Sequence, residues 1–188
     1  MKTGSVALRE TGKHSLVIGS LVFAGLIFFA VNAFAAGVVV GEEAPDFTAF
    51  TTSGEKLSLS DLQGETVFMA FWSTWCSRSR EELAYLKELS ESYPSLVFVA
   101  VNSETEATGI KSLVYMRQAI DEYKLPVAIV VDRGMKIWNR YEVNALPTSL
   151  IIGADGSVLF SEPNFFWASA GKFEKVLHDL SAVTLNVP

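Results

Sequence analysis

Residues 66–82 read TVFMAFWSTWCSRSREE, and they carry the clearest signals of secondary structure in the chain. The apolar run at 66–72 has the length of a strand and no alternation, which is typical of a strand buried on both faces. The charged segment at 77–93 predicts a helix, because leucines recur in it at three-residue steps. Cys76, the only cysteine of the 188 residues, therefore lies where a buried strand passes into a helix.

The rest of the chain alternates in the same way. Apolar runs at 96–101 and 127–131 predict two more strands, and periodic segments at 110–123, 136–141 and 168–180 predict helices. Turn signals at 51–54 and 154–157 predict a β-hairpin at each end of this series. Strands that alternate with helices favour an α/β fold with a central mixed sheet covered by helices on both faces, here with an N-terminal β-hairpin.

The N-terminus carries a targeting signal. Lys2, Arg9 and Lys13 precede an uncharged apolar run at 15–40, which at roughly 20 residues or more could cross a bilayer. The A-F-A pattern at 33–35 favours a cleaved signal peptide, whereas the length of the run favours a retained anchor, and both remain open. We therefore expect residues 1–40 to be a signal peptide or signal anchor and residues 41–188 to be one exported domain, periplasmic or on the outer face of the cytoplasmic membrane.

The charge of the exported part excludes one class of partner. Without residues 1–35, which hold three basic residues and one acidic residue, the chain keeps 12 basic and 20 acidic residues and a net charge of −8. An acidic domain lacks the basic surface that nucleic acid requires. We also expect no membrane contact apart from the N-terminal segment, if that segment is uncleaved.

Cys76 is the candidate reactive residue. One cysteine cannot form an internal disulfide, so in an oxidising compartment it suggests a free reactive thiol or intermolecular pairing. A helix N-terminus favours an anion and hence the thiolate. Arg78 adds positive charge, and Trp72 and Trp75 are expected to shape an apolar groove beside the sulfur. The alternative is a small buried hydrophobe without chemistry.

Four motifs together resemble one family. They are F-W-S-T-W-C at 71–76, followed by Arg80 and Glu82, then G-E-E-A-P-D-F at 41–47, L-S-D-L-Q-G at 59–64 and V-N-A-L-P-T at 143–148. This set resembles the TlpA-like, membrane-tethered thioredoxins. The resemblance implies a thioredoxin-like fold, thiol–disulfide exchange at Cys76, and a cis-proline loop at Pro147 that faces the nucleophile. It also implies that Leu146, Pro147 and Thr148 form a platform for an extended substrate, and it implies no cofactor.

The chain departs from that family at Ser79. The family carries a second cysteine there, and that cysteine resolves the mixed disulfide formed by the first. A serine hydroxyl cannot do so. Cys76 is therefore expected to act as a monothiol whose mixed disulfides are resolved by an external thiol, with protein thiols or disulfides, or a low-molecular-weight thiol, as partners.

Two other functions stay open at this point. A thiol peroxidase related to peroxiredoxins would need proline at position 69, where this chain has Met69, although Ser73 fits the peroxidase motif. A non-catalytic client-binding module would use only the loop around Pro147.

A metal site is not expected, because one cysteine and two distant histidines form no ligand cluster. Glu82 and Arg80 have two interpretations, tuning of the site or a place on a solvated helix face, and we favour the solvated face.

Overall fold

A computed structural model describes residues 38–102, 109–124, 127–164 and 167–184. All of them belong to the compact unit at 35–188. The predicted signal or anchor falls almost wholly outside the described residues and remains a prediction. Within the described residues, no helix combines the length and the apolar character that a membrane span needs.

The order of elements follows the sequence pattern. The strands are β1 (Thr48–Phe50), β2 (Lys56–Ser58), β3 (Val67–Trp72), β4 (Val97–Asn102), β5 (Ala128–Val131), β6 (Thr148–Ile152) and β7 (Val158–Pro163). The helices are α1 (Ser77–Ser92), α2 (Gly109–Tyr123), α3 (Lys136–Arg140) and α4 (Ala170–Thr184). Each predicted strand and helix is present, with ends that differ by a few residues.

The central sheet is mixed, as expected. Its five strands lie in the order β5-β4-β3-β6-β7. The pairs β3–β4 and β4–β5 are parallel, whereas β3–β6 and β6–β7 are antiparallel. All six residues of β3 are buried, because the strand lies at the centre of the sheet and is covered on both faces. Its uninterrupted apolar run is the sequence signature of that position.

Two hydrophobic cores lie on opposite faces of the sheet. On one face, the side chains of α1, α2 and α4 pack over Phe68, Ala70 and Trp72 of β3. On the other face, α3 and the N-terminal segment pack over Met69 and Phe71. The alternation of β3 side chains between the two cores follows from the two-residue period of a strand. The structure thus confirms the thioredoxin-like α/β fold with helices on both faces.

The N-terminal hairpin forms its own two-stranded sheet. β1 and β2 pair antiparallel, and Thr51 bridges to Val130 on the outer edge of β5. Glu43 bridges to Ser157 beside the opposite edge. The N-terminal segment therefore touches the central sheet at both of its edges, which leaves less of each edge strand open for unwanted pairing.

Phe173 of α4 is one of the largest fully buried side chains in the helix-covered core. Its ring lies 5.2 Å from the ring of Phe68 and 4.9 Å from that of Phe160, measured between centroids, and its side chain is fully buried. We predict that Phe173→Ala lowers the free energy of unfolding by about 3–5 kcal/mol, because it leaves a cavity among aromatic rings. Urea unfolding followed by circular dichroism measures this.

Lys175 offers the matched control on the same helix. It is exposed and forms an ion pair with Asp179 one turn away, so Lys175→Ala should change the free energy of unfolding by about 0.5 kcal/mol or less. Equal losses in the two variants would contradict the assignment of Phe173 to the core.

Candidate functional site

Cys76 occupies the N-cap position of α1. Its backbone is extended, with φ −90° and ψ 114°, and its side chain does not cap the helix. The thiol lies 3.8 Å from the carbonyl oxygen of Leu146, to which it donates a weak hydrogen bond. The side chain is half-buried. Cys76 therefore stands at the positive end of a 16-residue helix, where unpaired N–H groups favour an anion.

The loop that faces Cys76 is the one that the resemblance implied. The peptide bond between Leu146 and Pro147 is cis, and the thiol contact brings this loop against the nucleophile. Thr148 closes the loop, because its Oγ1 donates a 2.9 Å hydrogen bond to the carbonyl of Ala145. Leu146, Pro147 and Thr148 thus lie at the same end of the central sheet as Cys76.

Ser79 is fully buried, with no exposed surface. Its Oγ accepts a 3.4 Å hydrogen bond from the backbone N–H of Ser73, in the loop before the nucleophile. The hydroxyl therefore ties the first turn of α1 to the end of β3. Position 79, where the family carries its second cysteine, therefore holds a hydroxyl that fixes the loop between β3 and Cys76.

The two tryptophans have different environments. Trp75 is 69% exposed and lies next to Cys76, so it can contribute groove surface. Trp72 is 0% exposed and belongs to the core. Because the Trp72 side chain is fully buried, it offers no exposed surface to a groove beside Cys76. Arg78 is exposed at the start of α1, where solvent screens its charge.

The structure corrects the prediction for Glu82. It was assigned to a solvated helix face, but it is 0% exposed. Its Oε1 accepts a hydrogen bond from the Oγ of Ser149 in β6. Burial raises the pKa of Glu82 to about 8, and the hydrogen bond from Ser149 opposes this rise. The carboxyl group is therefore largely neutral below that pH.

A signal for Glu82 does exist in the sequence. Residues 79, 82, 83 and 86 recur at three- and four-residue steps, and all four are buried. The leucine stripe at 83 and 86 therefore already placed residue 82 on the inner face of α1. The acidic side chain and its charged neighbours obscured this periodicity.

Unsatisfied polar atoms concentrate near the nucleophile. Among the described residues, four buried side-chain atoms have no hydrogen-bond partner: Trp72 Nε1, Ser73 Oγ, Glu82 Oε2 and Asn102 Nδ2. Trp72 and Asn102 are register partners at the carboxyl ends of β3 and β4, and Ser73 follows directly. Native proteins pair almost all such atoms and make exceptions mainly at functional sites. Within the same residues, no group of three or more metal-ligating side chains comes together.

The buried carboxyl of Glu82 predicts a pH-dependent stability. Its pKa of about 8 in the folded protein lies above the ordinary value of 4.5. Between these values the folded state binds one proton more than the unfolded state. The contribution of Glu82 to the free energy of unfolding therefore falls as the pH rises through this window, by up to about 1.4 kcal/mol per pH unit.

Urea unfolding of wild type and Glu82→Gln at pH 5, 6.5 and 8 tests this. The stability of wild type relative to Glu82→Gln should decline as the pH rises, because glutamine does not ionise. Glu81→Gln, at an exposed position of the same turn, should show a constant difference from wild type. A constant difference for Glu82→Gln as well would refute the assignment.

Comparison with known proteins places these features in a family. The AhpC/TSA family model matches residues 40–161. The thiol-disulfide oxidoreductase ResA of Bacillus thuringiensis is 34% identical over 120 residues, which cover 64% of this chain and 67% of that protein. The thioredoxin-like protein YneN of Bacillus subtilis is 37% identical over 123 residues, which cover 65% of this chain and 70% of that protein.

Solved structures agree with the fold. A Chlorobium tepidum chain aligns with a TM-score of 0.68 at 23% identity, over 76% of this chain and 98% of that one. A secreted disulfide oxidoreductase of Mycobacterium tuberculosis aligns with a TM-score of 0.61 at 27% identity, over 71% of this chain and 95% of that one. With the family match spanning most of the described domain, the chain belongs to the AhpC/TSA family of thioredoxin-like proteins.

Proposed function

We propose that this protein is a monothiol thiol–disulfide exchange protein that works outside the cytoplasm. The observation that carries the proposal is the position of Cys76 at the N-terminus of α1, with its sulfur against the carbonyl of Leu146. The relatives ResA of Bacillus thuringiensis and the secreted Mycobacterium tuberculosis protein are thiol-disulfide or disulfide oxidoreductases. Because position 79 holds serine, Cys76 can form a mixed disulfide with a client but has no second cysteine to resolve it.

The exchange runs in two balanced steps. The Cys76 thiolate attacks one sulfur of a client disulfide, so that a Cys76–client disulfide forms and the other client sulfur leaves as a thiolate. An external thiolate, or another client thiolate, then attacks the client sulfur and releases the Cys76 thiolate. No second sulfur of this chain takes part, because position 79 holds a hydroxyl.

The client is an extended peptide segment that carries a cysteine. Leu146, Pro147 and Thr148 offer a loop edge directly beside the sulfur, and backbone groups of such an edge can pair with an extended chain. Trp75, exposed next to Cys76, offers apolar surface to the residues that flank the client cysteine. A low-molecular-weight thiol serves as the resolving partner.

The apolar N-terminal run supports an extracytoplasmic location. Among similar structures, the Mycobacterium tuberculosis oxidoreductase is a secreted protein, and a Streptococcus pneumoniae thioredoxin, 25% identical with a TM-score of 0.59, is an exposed lipoprotein. The aligned parts cover 71% of this chain in both cases. An oxidising compartment is also where a client disulfide would persist.

Restoring the second sulfur tests the proposal. The wild-type protein, incubated with glutathione disulfide or a disulfide-bonded peptide, should form one stable adduct at Cys76 that mass spectrometry detects. In Ser79→Cys, the new thiol lies one helical turn away and should resolve the adduct into an internal disulfide. We expect the steady adduct level to fall by about tenfold or more, because the resolving step becomes intramolecular.

Cys76→Ser is the negative control and should form no adduct. The proposal fails if the wild type forms no Cys76 adduct with either disulfide. Comparison of wild type with Cys76→Ser also distinguishes the exchange function from a peroxidase and from a client-binding module. A peroxidase would consume hydrogen peroxide with a thiol donor faster than Cys76→Ser does, and a non-catalytic client-binding module would hold its client equally well in wild type and Cys76→Ser.

A further inference from the structure

An open cleft lies between the N-terminal hairpin and the start of α3. Its volume is about 210 Å³, and its apolar walls come from Ala49 and Phe50 of β1, Val131 of β5 and Ile137 of α3. Clefts that hold drug-sized ligands measure about 300–1,000 Å³. The cleft is therefore the right size for a side chain of another protein rather than for a whole cofactor.

Phe50 lies at the rim of this cleft with 64% of its surface exposed. One exposed apolar side chain is ordinary in itself, but this ring borders a concave apolar surface. The backbone beside it is fixed, because Thr51 bridges to Val130 and the Thr52 N–H donates a 2.9 Å hydrogen bond to the carbonyl of Ile129. Phe50 is thus an aromatic ring on a rigid support, and such residues are enriched in the cores of protein interfaces.

Two cations line the same cleft. Arg133 and Lys136 are both exposed, and among the described residues neither forms an ion pair. Asp132 also lines the cleft but is buried, and its carboxyl oxygens accept hydrogen bonds of 3.0 and 2.8 Å from the N–H groups of Ile137 and Trp138. Asp132 therefore holds the start of α3, and the charges that the cleft presents to solvent are the two cations.

The charge of the cleft is opposite to that of the domain. Beyond residue 35 the chain carries a net charge of −8, which disfavours an acidic ligand over most of the surface. Arg133 and Lys136 make the cleft a local exception. A segment that combines acidic residues with an apolar side chain complements both the cations and the apolar walls.

The cleft and Cys76 lie at the same end of the central sheet. Trp72, Asn102 and Val131 are register partners across β3, β4 and β5, and Trp72 is the last residue of β3 before the loop that leads to Cys76. β5 lies three strand positions from β6, which is about 15 Å at about 4.8 Å per strand. Because an extended chain advances about 3.3 Å per residue, a client on the platform needs at least about five residues to reach the cleft.

We propose that this cleft is a second docking site for the client and takes an acidic segment with an apolar side chain, at least about five residues from the client cysteine. The proposal rests on the exchange function proposed above and names the client chemistry that the domain selects. Phe50 and Ile137 contact the apolar side chain, while Arg133 and Lys136 pair with the carboxylates. Since one client occupies both sites, docking in the cleft raises the local concentration of its disulfide at Cys76.

Peptide binding tests the cleft without any exchange chemistry. The probe is a synthetic peptide with a central serine in place of the client cysteine and the sequence Glu-Phe-Glu about six residues away on each side, a spacing that spans the gap. Titrated into ¹⁵N-labelled protein, it should shift the amide resonances of residues 48–51 and 131–137 in a saturable way. A peptide with Gln-Ser-Gln in these places should bind about tenfold more weakly, because it loses both the carboxylates and the ring.

The matched variants change the same number of charges in two places. The double variant Arg133→Ala, Lys136→Ala should weaken binding of the acidic peptide about tenfold. The double variant Lys87→Ala, Lys175→Ala removes two exposed cations on α1 and α4 and should leave binding unchanged. The docking site is refuted if the peptide shifts no resonance at the cleft. It is also refuted if acetate at the same carboxylate concentration causes the same shifts, since the cleft would then bind anions without selecting a peptide.

The rate of adduct formation gives the second readout. The same peptide, with its central cysteine present as a mixed disulfide with glutathione, forms a Cys76–peptide disulfide and releases glutathione as a thiolate. In the variant Arg133→Ala, Lys136→Ala, the half-saturating peptide concentration should rise about tenfold while the maximal rate stays constant, because the cleft contributes binding and no chemistry. The Gln-Ser-Gln peptide should react equally with the variant and the wild type. An equal loss with that peptide would show damage to the site at Cys76 and would overturn the docking role.

The two proposals fail separately. If the wild type forms no Cys76 adduct, the exchange function is contradicted, while the serine peptide still reports on the cleft. If adducts form but loss of Arg133 and Lys136 changes neither peptide binding nor half-saturation, the exchange function stands and the docking site does not.

Discussion

The site depends on the antiparallel pairing of β3 with β6. Five residue pairs, from Val67 with Ile152 to Phe71 with Thr148, fix the register of the two strands. The last residues of β3 pair with the first residues of β6. The segment that leads to Cys76 and the loop that contains Pro147 therefore lie at the same end of these strands. A slip of one residue would turn the side chains of β6 to the opposite face. It would also separate Ser149 from Glu82, so the register sets both the platform and the buried contact.

Glu82 shows that the interior of this domain is not optimised for stability alone. Among the described residues the Glu82 carboxyl has no ionic partner and its Oε2 has no hydrogen bond, so burial keeps it largely neutral below pH 8. Leu83 and Leu86 already anchor the same face of α1 in the core, so packing does not require an acid at position 82. Buried polar atoms without partners are typical of functional sites, so we associate this cost with the site that begins at Cys76 on the same helix.

The fold was predictable from the sequence because burial leaves local patterns. The predicted strand at 66–72 is β3 within one residue, since a doubly covered strand must be apolar throughout. The site was only partly predictable. Cys76 follows from its place between strand and helix, whereas the cis bond at Pro147 came from the family resemblance. Glu82 was misplaced because its acidic side chain and charged neighbours obscured the inward-facing periodicity of α1. Trp72 was expected at a groove because it lies close to Cys76 in sequence, but its side chain is fully buried in the core.

Serine at position 79 changes the chemistry of the site much more than its shape. Serine differs from cysteine by one atom, so it fits the same buried position, and its oxygen accepts the hydrogen bond from Ser73. What disappears is the ability to store two electrons, because an internal disulfide can no longer form. Each step of the proposed exchange at Cys76 would break one disulfide and form another, so the number of disulfides would be conserved. Under this proposal, any net oxidation or reduction of a client would come from an external thiol or disulfide, whereas this domain alone would rearrange client disulfides or hold a client covalently.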